Sequence, residues 1–334
     1  MQQIKPRVAL IGTGGTIASQ GDHPLEVITY VRHGRILDAA ALLARVPEVA
    51  QVADVEPIAF STLPSTAISP ADWLALLTTI HRVANEQPEL AGVVVTHGTA
   101  TLEETAYFLN LTLQAPLTVV LTGAQRPATG LSGDGPMNIV GAVRAAGSPA
   151  ARGLGVLVLL NDELQAAREV SKTSTMRLQT FRSPDFGILG HVDEDGVHIY
   201  RRPVRHHAPG TEFTLDGCEA LPRVDVVLSY AGADGFAIDA AVAAGAQGIV
   251  ACGFAPGMVS PAQMQALGRA RQQGIVVVQC TRAGSGRVVH LGSRQVEGVV
   301  TGDNLNAWKA RVLLMLALTR SSEPREIQRL FDTY

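Results

Sequence analysis

Three glycine-containing loops carry threonine hydroxyls: GTGGTIAS (12–19), THGTAT (96–101) and TGAQRP (122–127). Thr13 and Thr16 lie in a glycine turn, where two hydroxyls are candidates for a nucleophile or for an anion cradle. In the second loop, Thr101 with Glu104 three residues later has the pattern of a capping box that begins a helix. Thr99 of that loop is left for chemistry, although a threonine hydroxyl is a weak nucleophile unless a base activates it.

Two side chains are candidates for that base. Lys172, in REVSKTSTM, needs a lowered pKa for this work, which burial or nearby positive charge supplies. A solvated surface lysine is an equally good interpretation of the same residue. No acid stands beside His97 to orient it, so a structural role fits this histidine better than a role as general base.

Better-known catalytic motifs do not occur in the sequence. Gly12 and Gly14 begin like a dinucleotide-binding turn, but Ile17 stands where that motif needs a small residue, and no GK[ST] follows. There is no H-E-x-x-H motif and no C-x-x-C pair, and the adjacent His206 and His207 do not form a chelating pair on a helix. The serine-hydrolase motif G-x-S-x-G is also missing.

The composition of the chain disfavours nucleic acids and membranes as partners. The 334 residues have a formal charge of −3, so no basic field would attract nucleic acid or a membrane surface. Aromatic residues make up 4 %, which disfavours a base-stacking platform. No apolar run is long enough to span a membrane, and the N-terminus is typical of a first strand rather than a signal peptide. We therefore expect a small-molecule ligand and a cytoplasmic location, with a periplasmic one open if a signal peptide was trimmed.

The elements that must position these loops follow one pattern. Short, β-branched apolar runs alternate along the chain with helical patterns such as SPADWLALLTTIHRVANE. This alternation indicates doubly wound α/β domains with parallel sheets and helices on both faces. Seven runs fit buried strands: RVALIGTGG, GVVVTHGTA, TVVLTGAQR, GVLVLLNDE, VDVVLSYAG, GIVACGFAP and GIVVVQCTR.

Composition changes once along the chain. Residues 201–222 are rich in Pro, Gly, His and charge and have little periodicity, which predicts a linker. The sequence thus predicts a larger N-terminal domain over 1–200, with the threonine loops, and a smaller C-terminal domain over 223–334.

Further segments are similar to known motifs in their order along the chain. TGGTIAS (13–19) and THGTATLEETAYFL (96–109) look like two threonine motifs, and REVSKT (168–173) looks like a lysine motif. TGAQRP, SGDGPMNI (132–139) and KARVLLMLAL (309–318) also match. On these motifs the chain resembles the bacterial L-asparaginase/glutaminase family over nearly its whole length.

The resemblance implies an amidohydrolase with a larger and a smaller α/β domain, no metal and no cofactor. It implies a homotetramer, a dimer of tight dimers, with the C-terminal domain completing the site of a neighbouring subunit. Thr16 would be the nucleophile, Tyr30 on a flap would assist it, and Thr99 with Lys172 would form a second hydroxyl–base unit. The substrate would contact Gly15, Ser65, Thr99 and position 100; Ser65 would hold its carboxylate, and the N–H of Thr99 would stabilise the oxyanion.

Several positions depart from the family pattern. Ala100 stands in place of an aspartate that binds the substrate ammonium, and Gly232 stands in place of an asparagine. The segment GFAPGM (253–258) replaces a GNGN loop. No counterpart is found for the glutamate that a neighbouring subunit contributes; the region instead offers Arg287, His290, Arg294 and Glu297.

These departures leave the substrate open. One interpretation is ordinary hydrolysis of L-asparagine or a related amide, with a water or a partner residue replacing the carboxylate. Another is a substrate whose α-amino group is blocked, displaced or missing, because an ammonium buried without a counter-ion is costly. A third is a non-catalytic relative that binds a small acid, which the intact Thr16, Thr99 and Lys172 disfavour. A subunit of a tRNA-dependent amidotransferase would want a basic surface and an extra module, and neither is present.

Overall fold

The computed structural model describes residues 5–292 and 296–334, so Arg294 lies outside the described residues. No helix within these ranges has the length and apolar character needed to cross a bilayer. The described chain divides into two compact units, Met1–Glu212 and Phe213–Tyr334. The division falls inside the segment 201–222, and the domain bounds inferred from composition stay a prediction.

The first unit is built on an eight-stranded sheet in the order β10-β9-β6-β5-β4-β3-β1-β2. The five strands β1 to β5 are parallel to one another. Strands β6, β9 and β10 extend the sheet with antiparallel pairing. A two-stranded ribbon of β7 and β8 stands apart from this sheet. The strands are β1 Arg7–Gly12, β2 Asp54–Ala59, β3 Gly92–Thr96, β4 Thr118–Thr122, β5 Leu157–Leu160, β6 Glu163–Ala166, β7 Ser171–Lys172, β8 Phe181–Arg182, β9 Gly190–Val192 and β10 Val197–Ile199.

Helices cover both faces of this sheet, as the continuous apolar strands require. Helices α1 and α4 pack on the face that contains Val8, Leu10 and Val94. Helix α3 lies against β4 and β5, and Phe108 on α3 stacks on Trp73 of α2 with ring centroids 5.4 Å apart. The helices are α1 Ala39–Leu43, α2 Pro70–Glu86, α3 Leu102–Thr112 and α4 Gly135–Gly147.

The second unit has a four-stranded parallel sheet in the order β11-β12-β13-β14. Helices α5 and α6 pack on the face that contains Val227, Ile249 and Val277. Helix α7 contacts β11, β12 and β13, and α8 contacts α7 and β14. The elements are β11 Val224–Leu228, α5 Phe236–Ala243, β12 Gly248–Gly253, α6 Pro261–Gln272, β13 Val276–Thr281, β14 Val300–Thr301, α7 Ala307–Leu318 and α8 Pro324–Thr333.

The doubly wound fold inferred from the sequence is confirmed, and each of the seven apolar runs contains a strand. The order β2-β1-β3 places a topological switch between β1 and β3 of the larger sheet. In open α/β sheets, ligands bind beyond the carboxyl ends of the strands at such a point. The loops that follow β1 and β3 are GTGGTIAS and THGTAT, so the topology brings the two threonine motifs together.

One local prediction is wrong. Thr101 is the residue before α3, but its hydroxyl does not cap the helix. Oγ1 of Thr101 instead donates a hydrogen bond to the carbonyl of Ser65 at 2.8 Å. The hydroxyl therefore ties the loop after β3 to the segment 65–67, a tertiary contact that the local pattern with Glu104 could not reveal.

Candidate active site

The loops after β1 and β3 touch through two glycines. Gly15 has φ +82°, in the left-handed region, and a Cβ at this position would overlap the backbone of Gly98. A Cβ on Gly98 would in turn lie 2.5 Å from Oγ of Ser65. Thr16 and Thr99 each follow one of these glycines in the chain, so the close backbone approach brings the two hydroxyl-bearing residues to one place.

Further hydrogen bonds fix the same two loops. The backbone N–H and Oγ1 of Thr13 both donate to the carbonyl of Thr96, each at 3.0 Å. Oγ of Ser19 donates to the carbonyl of Gly15 at 2.8 Å. Thr13 is thus buried and serves to join the two strand ends, and Thr16 is the hydroxyl of the glycine turn that faces a cavity.

Tyr30 meets Thr16 from a separate loop. Oη of Tyr30 and Oγ1 of Thr16 are 2.7 Å apart, within hydrogen-bond distance. Tyr30 belongs to a short 3-10 segment, Thr29–His33, and its side chain is almost fully buried. The pair predicted by resemblance is therefore together in the structure.

Glu26 holds the loop that carries Tyr30. Its carboxylate accepts hydrogen bonds from the backbone N–H of Asp22 at 2.7 Å and from Oγ1 of Thr29 at 2.9 Å. Nε2 of His33 donates to the two oxygens of the same carboxylate at 2.9 and 3.0 Å. The hydrogen bond from the backbone of Asp22 is the main cause that lowers the pKa of Glu26 to about 2, so this group is ionised.

The second hydroxyl–base pair joins β7 to the loop after β3. Nζ of Lys172 donates a hydrogen bond to Oγ1 of Thr99 at 2.7 Å. Glu103, buried in the first turn of α3, fixes the strand that carries the lysine. Its carboxylate accepts from the backbone N–H of Lys172 and from Oγ of Ser171, each at 3.0 Å.

Two environmental effects act on Lys172. Burial lowers the pKa of its ammonium, because the charged form loses hydration. The negative charge of Glu103 opposes this shift and raises the pKa of Lys172, but burial is the larger effect. The net lowered pKa is what a lysine needs to accept a proton from a neighbouring hydroxyl.

Ser65 lies beside these pairs on a 3-10 segment, Ser65–Ala67. Its side chain is 7 % exposed, and its Oγ accepts a hydrogen bond from the backbone N–H of Ala100 at 3.3 Å. The hydroxyl is therefore held against the loop after β3. Ala100 itself is exposed and contributes only a methyl group to the surroundings of Ser65.

Two cavities meet at three of the predicted catalytic residues, since Thr16, Tyr30 and Thr99 line both. One, of about 360 Å³, also contains Gly15, Ser65 and Ala100, and we call it the Ser65 cavity. The other, of about 630 Å³, also contains Lys172 and two arginines, and we call it the basic cavity. None of the described residues that line either cavity is an aspartate or a glutamate.

His97 lies under the site without lining either cavity. Its Nδ1–H donates to the carbonyl of Gly98 at 2.8 Å, and its Nε2 accepts from Oγ1 of Thr105 at 3.0 Å. Nε1 of Trp73 donates to the same Thr105 hydroxyl at 2.9 Å. Full burial lowers the pKa of His97 to about 4, so the ring is neutral and anchors the Gly98–Thr99 backbone.

Among residues 5–292 and 296–334, two groups of side chains have the composition of metal ligands. Asp22, Glu26 and His33 form one, but Arg32 pairs with Glu26 and Arg35 pairs with Asp22. Cations therefore already neutralise its carboxylates. The second group is exposed on the hairpin of β9 and β10, and its histidine donates to a carboxylate three residues before it; its members are Asp193, Asp195 and His198. Neither group includes one of the four proposed catalytic residues.

The predicted C-terminal departures lie in the second unit. Gly232 has φ +81° and follows β11, and the segment 253–258 forms a tight turn after β12. Arg287 pairs with Asp303, and the carbonyl of Glu297 accepts from Nε of Arg271 at 3.3 Å. These contacts fix the segments within their own unit and leave the predicted contribution to a neighbouring subunit as a prediction.

Sequence reasoning missed several residues of the site. Glu103 and Glu26 are buried carboxylates whose partners lie on other elements, and both look like solvated charges in the sequence. Gln125 and Arg126 belong to TGAQRP, which follows a predicted buried strand. Their position at the end of that strand could have identified them as site residues. Arg177 lies five residues after Lys172 in an irregular segment and gave no signal of its own.

The chain is similar to known proteins over nearly its whole length. Residues 7–205 match the family model described as "Asparaginase, N-terminal", and residues 223–331 match "Glutaminase/Asparaginase C-terminal domain". The chain is 38 % identical to "L-asparaginase 2" of Bacillus subtilis, covering 98 % of this chain and 87 % of that protein. It is 36 % identical to "Glutaminase-asparaginase" of Pseudomonas fluorescens, covering 98 % of this chain and 90 % of that protein.

A solved structure is equally similar. The "Probable Cytoplasmic L-asparaginase" of Campylobacter jejuni superposes with a TM-score of 0.94 at 37 % sequence identity, covering 99 % of this chain and 100 % of that one. The chain belongs to the asparaginase family, whose two domain models together cover most of its length. This membership makes it an asparaginase-type amidohydrolase.

Proposed function

We propose that the protein hydrolyses a small carboxamide, L-asparagine or a related amide, to the carboxylic acid and ammonia, with Thr16 as nucleophile. Oγ1 of Thr16 attacks the amide carbon, the C–N bond breaks, and the nitrogen leaves as ammonia after taking up a proton. Water then attacks the acyl ester on Thr16, which releases the acid and restores the hydroxyl. One water is consumed for each amide cleaved.

The other residues support this attack. Tyr30, 2.7 Å from Thr16, assists the hydroxyl, and Thr99 with Lys172 relays protons at the second hydroxyl. The backbone N–H of Thr99 stabilises the tetrahedral oxyanion, the usual means of lowering the barrier of acyl transfer. Ser65, buried beside Ala100, holds the substrate carboxylate, and Gly15 allows the backbone to come close to the bound amide.

One observation carries the proposal: two threonine hydroxyls, each 2.7 Å from a partner that can take part in proton transfer, line the same pair of cavities. A non-catalytic binder of small acids would have no use for both pairs. Ammonia release is the test, with L-asparagine, L-glutamine and succinamic acid as substrates. Thr16→Ala should abolish it, and Thr78→Ala, at an exposed position of α2, should leave it unchanged. Absence of ammonia from every amide tested would overturn the proposal.

A second substrate class is favoured by the cavity walls. No described aspartate or glutamate lines either cavity, and Ala100 gives only a methyl group beside Ser65. A buried ammonium without a counter-ion costs several kcal/mol, on the order of what separates a good substrate from a poor one. A substrate with a blocked, displaced or missing α-amino group avoids this cost. Ala100→Asp should then gain activity on L-asparagine and lose it on succinamic acid; unchanged preference argues for ordinary asparaginase specificity.

Assembly and location complete the proposal. We propose a homotetramer, a dimer of tight dimers in which the C-terminal domain completes the site of a neighbouring subunit, as the family resemblance implies. Light scattering on the purified protein tests the mass. For the compartment we propose the cytoplasm, since the similar Campylobacter jejuni protein bears that description, although a relative from Haemophilus influenzae is named periplasmic. Cell fractionation decides between the two.

A further inference from the structure

The basic cavity extends beyond the atoms that the proposed reaction needs. Its volume of about 630 Å³ lies in the range of sites that enclose drug-sized ligands. The reactive hydroxyls of Thr16 and Thr99 occupy only one part of its wall. Val27, Ile28 and Met176 add apolar surface elsewhere on that wall. A simple monoamide would leave most of this space to water.

The charged side chains that line the basic cavity are all positive. Arg126, Lys172 and Arg177 line the basic cavity, and no described aspartate or glutamate does. Lys172 is engaged with Thr99, so the two arginines are the cations free to meet a ligand. Cations gathered in a cleft without counter-ions attract anions and raise their local concentration.

The two arginines are held in different ways. Arg126 is half-buried, and its Nη1 donates to the carbonyl of Ser132 at 2.6 Å. Its backbone N–H donates to Asp134 at 3.0 Å, and that carboxylate does not line the cavity. Arg177 is exposed, and its backbone N–H donates to Oγ of Ser174 at 3.3 Å. No ion pair of either guanidinium with a carboxylate is found within residues 5–292 and 296–334.

A further donor on the same wall has no acceptor. Nε2 of Gln125 is buried and makes no hydrogen bond to the described part of the chain. Buried amide nitrogens in folded proteins nearly always find an acceptor, and each exception calls for a reason. An acceptor oxygen on a ligand in the basic cavity would supply one.

We infer that the substrate is an amide whose α-nitrogen carries an acyl chain with a terminal carboxylate, and that this chain lies in the basic cavity with its carboxylate against Arg126 and Arg177. The acyl oxygen is the acceptor for Gln125, and acylation removes the ammonium for which neither cavity offers a carboxylate. The apolar side chains contact the methylene groups of the chain. This inference rests on the proposed amidohydrolase activity and names the substrate class of that site.

Two matched substrates test the contribution of the terminal carboxylate. N-succinyl-L-asparagine and N-butanoyl-L-asparagine have acyl chains of equal length, and only the first ends in a carboxylate. An exposed ion pair of about 0.7 kcal/mol corresponds to about threefold in kcat/KM, so two of them predict a kcat/KM about tenfold higher for the succinyl compound. Because the arginines contact a part of the substrate that does not react, the difference is expected in KM and not in kcat.

Variants assign the effect to residues. Arg126→Gln and Arg177→Gln should each reduce the succinyl-to-butanoyl ratio of kcat/KM by about threefold, because each removes one ion pair with the terminal carboxylate. Arg152→Gln, at an exposed position of the same unit that lines neither cavity, should leave the ratio as it is. Raising the salt concentration should lower the ratio for the unaltered enzyme, because the interaction is partly exposed to solvent.

The outcomes separate the inference from the activity on which it rests. If no amide in the panel releases ammonia, the proposed function fails. If amides are cleaved but the succinyl-to-butanoyl ratio is near one, the inferred substrate class is wrong and the amidohydrolase stands. If the ratio is high but survives both arginine variants, the carboxylate is held elsewhere and the assignment to the basic cavity is overturned.

Discussion

The buried carboxylate of Glu103 affects both the position and the pKa of Lys172. Glu103 accepts hydrogen bonds from the backbone of Lys172 and from Ser171, and it contributes a negative charge nearby. The contacts fix where the lysine lies, and the charge raises its pKa against the larger effect of burial. Position and protonation of the proposed base thus depend on the same side chain.

This arrangement predicts a shift in the pH profile. If neutral Lys172 is required, kcat/KM rises with pH through the lowered pKa of its ammonium. Glu103→Gln removes the charge that raises this pKa and keeps an oxygen that can accept from the backbone. The rising limb of kcat/KM should therefore move to lower pH. Glu103→Ala loses the contacts as well and should also reduce kcat.

A matched control is Glu86→Gln, in an exposed ion pair on α2, for which the profile should not move. A profile that stays in place in Glu103→Gln would show that the charge of Glu103 does not reach the base. A profile that moves to higher pH would contradict the sign of the argument.

At the scale of elements, the site depends on two loops whose backbones touch. Gly15 approaches Gly98 so closely that a Cβ on Gly15 would overlap the backbone of Gly98, and a Cβ on Gly98 would overlap the side chain of Ser65. Gly15→Ala must push the loop after β1 away from the loop after β3 and separate Thr16 from Thr99. A displacement of about 1 Å at a reactive group can cost roughly 10²-fold in rate, so we expect kcat to fall by about that factor.

Gly268→Ala serves as the control for that substitution. Gly268 lies within α6 with open space around it, so the added methyl group meets nothing. Alanine is the better helix former, and the unfolding free energy should rise by about 0.5–1 kcal/mol with kcat unchanged. Equal activity of Gly15→Ala and the native enzyme would mean that the loop contact is not needed for catalysis.

Within the loop that carries Tyr30, several hydrogen bonds converge on Glu26. Glu26 accepts from three other groups of the loop, and Glu26→Ala removes all of these hydrogen bonds at once. We expect the amides of residues 22–33 to exchange hydrogen faster and kcat to fall by about tenfold, because Tyr30 spends less time against Thr16. Glu48→Ala, at an exposed position outside the loop, should change neither quantity. Faster exchange with unaltered kcat would remove Tyr30 from the proposed mechanism.

At the scale of the whole molecule, His97 links stability to pH. The pKa of its ring is about 4 in the folded protein and returns to its usual 6.5 on unfolding. Between these values the unfolded chain binds the extra proton, so the free energy of unfolding falls as pH drops from 6.5 to about 4. The full difference amounts to about 3 kcal/mol for a ring that is completely buried.

Denaturant unfolding at several pH values tests this. His97→Asn should flatten the dependence of the unfolding free energy on pH across that window, even though it lowers the stability at neutral pH. His23→Asn, at an exposed position, should keep the native slope. An unchanged slope in His97→Asn would assign the acid sensitivity to other groups.

Much of the fold could be inferred from local patterns. The seven apolar runs are continuous because parallel strands are buried on both faces, and each contains a strand of the structure. The strand β2 was missed because it is an edge strand, half-exposed and interrupted by Pro57. The short strands β6 to β10 were missed because two to four residues are too few to show a period.

The sequence by itself determined the α/β class and the family and predicted the catalytic residues, because periodicity and motifs are properties of neighbouring residues. It also placed Ala100 where a carboxylate was expected. Only the tertiary structure decided that Thr101 bonds Ser65, that Glu103 and Glu26 hold the two proposed catalytic pairs in position, and that both cavities lack a described carboxylate. These facts join residues far apart in the chain, and burial and partners exist only once the strands have their order.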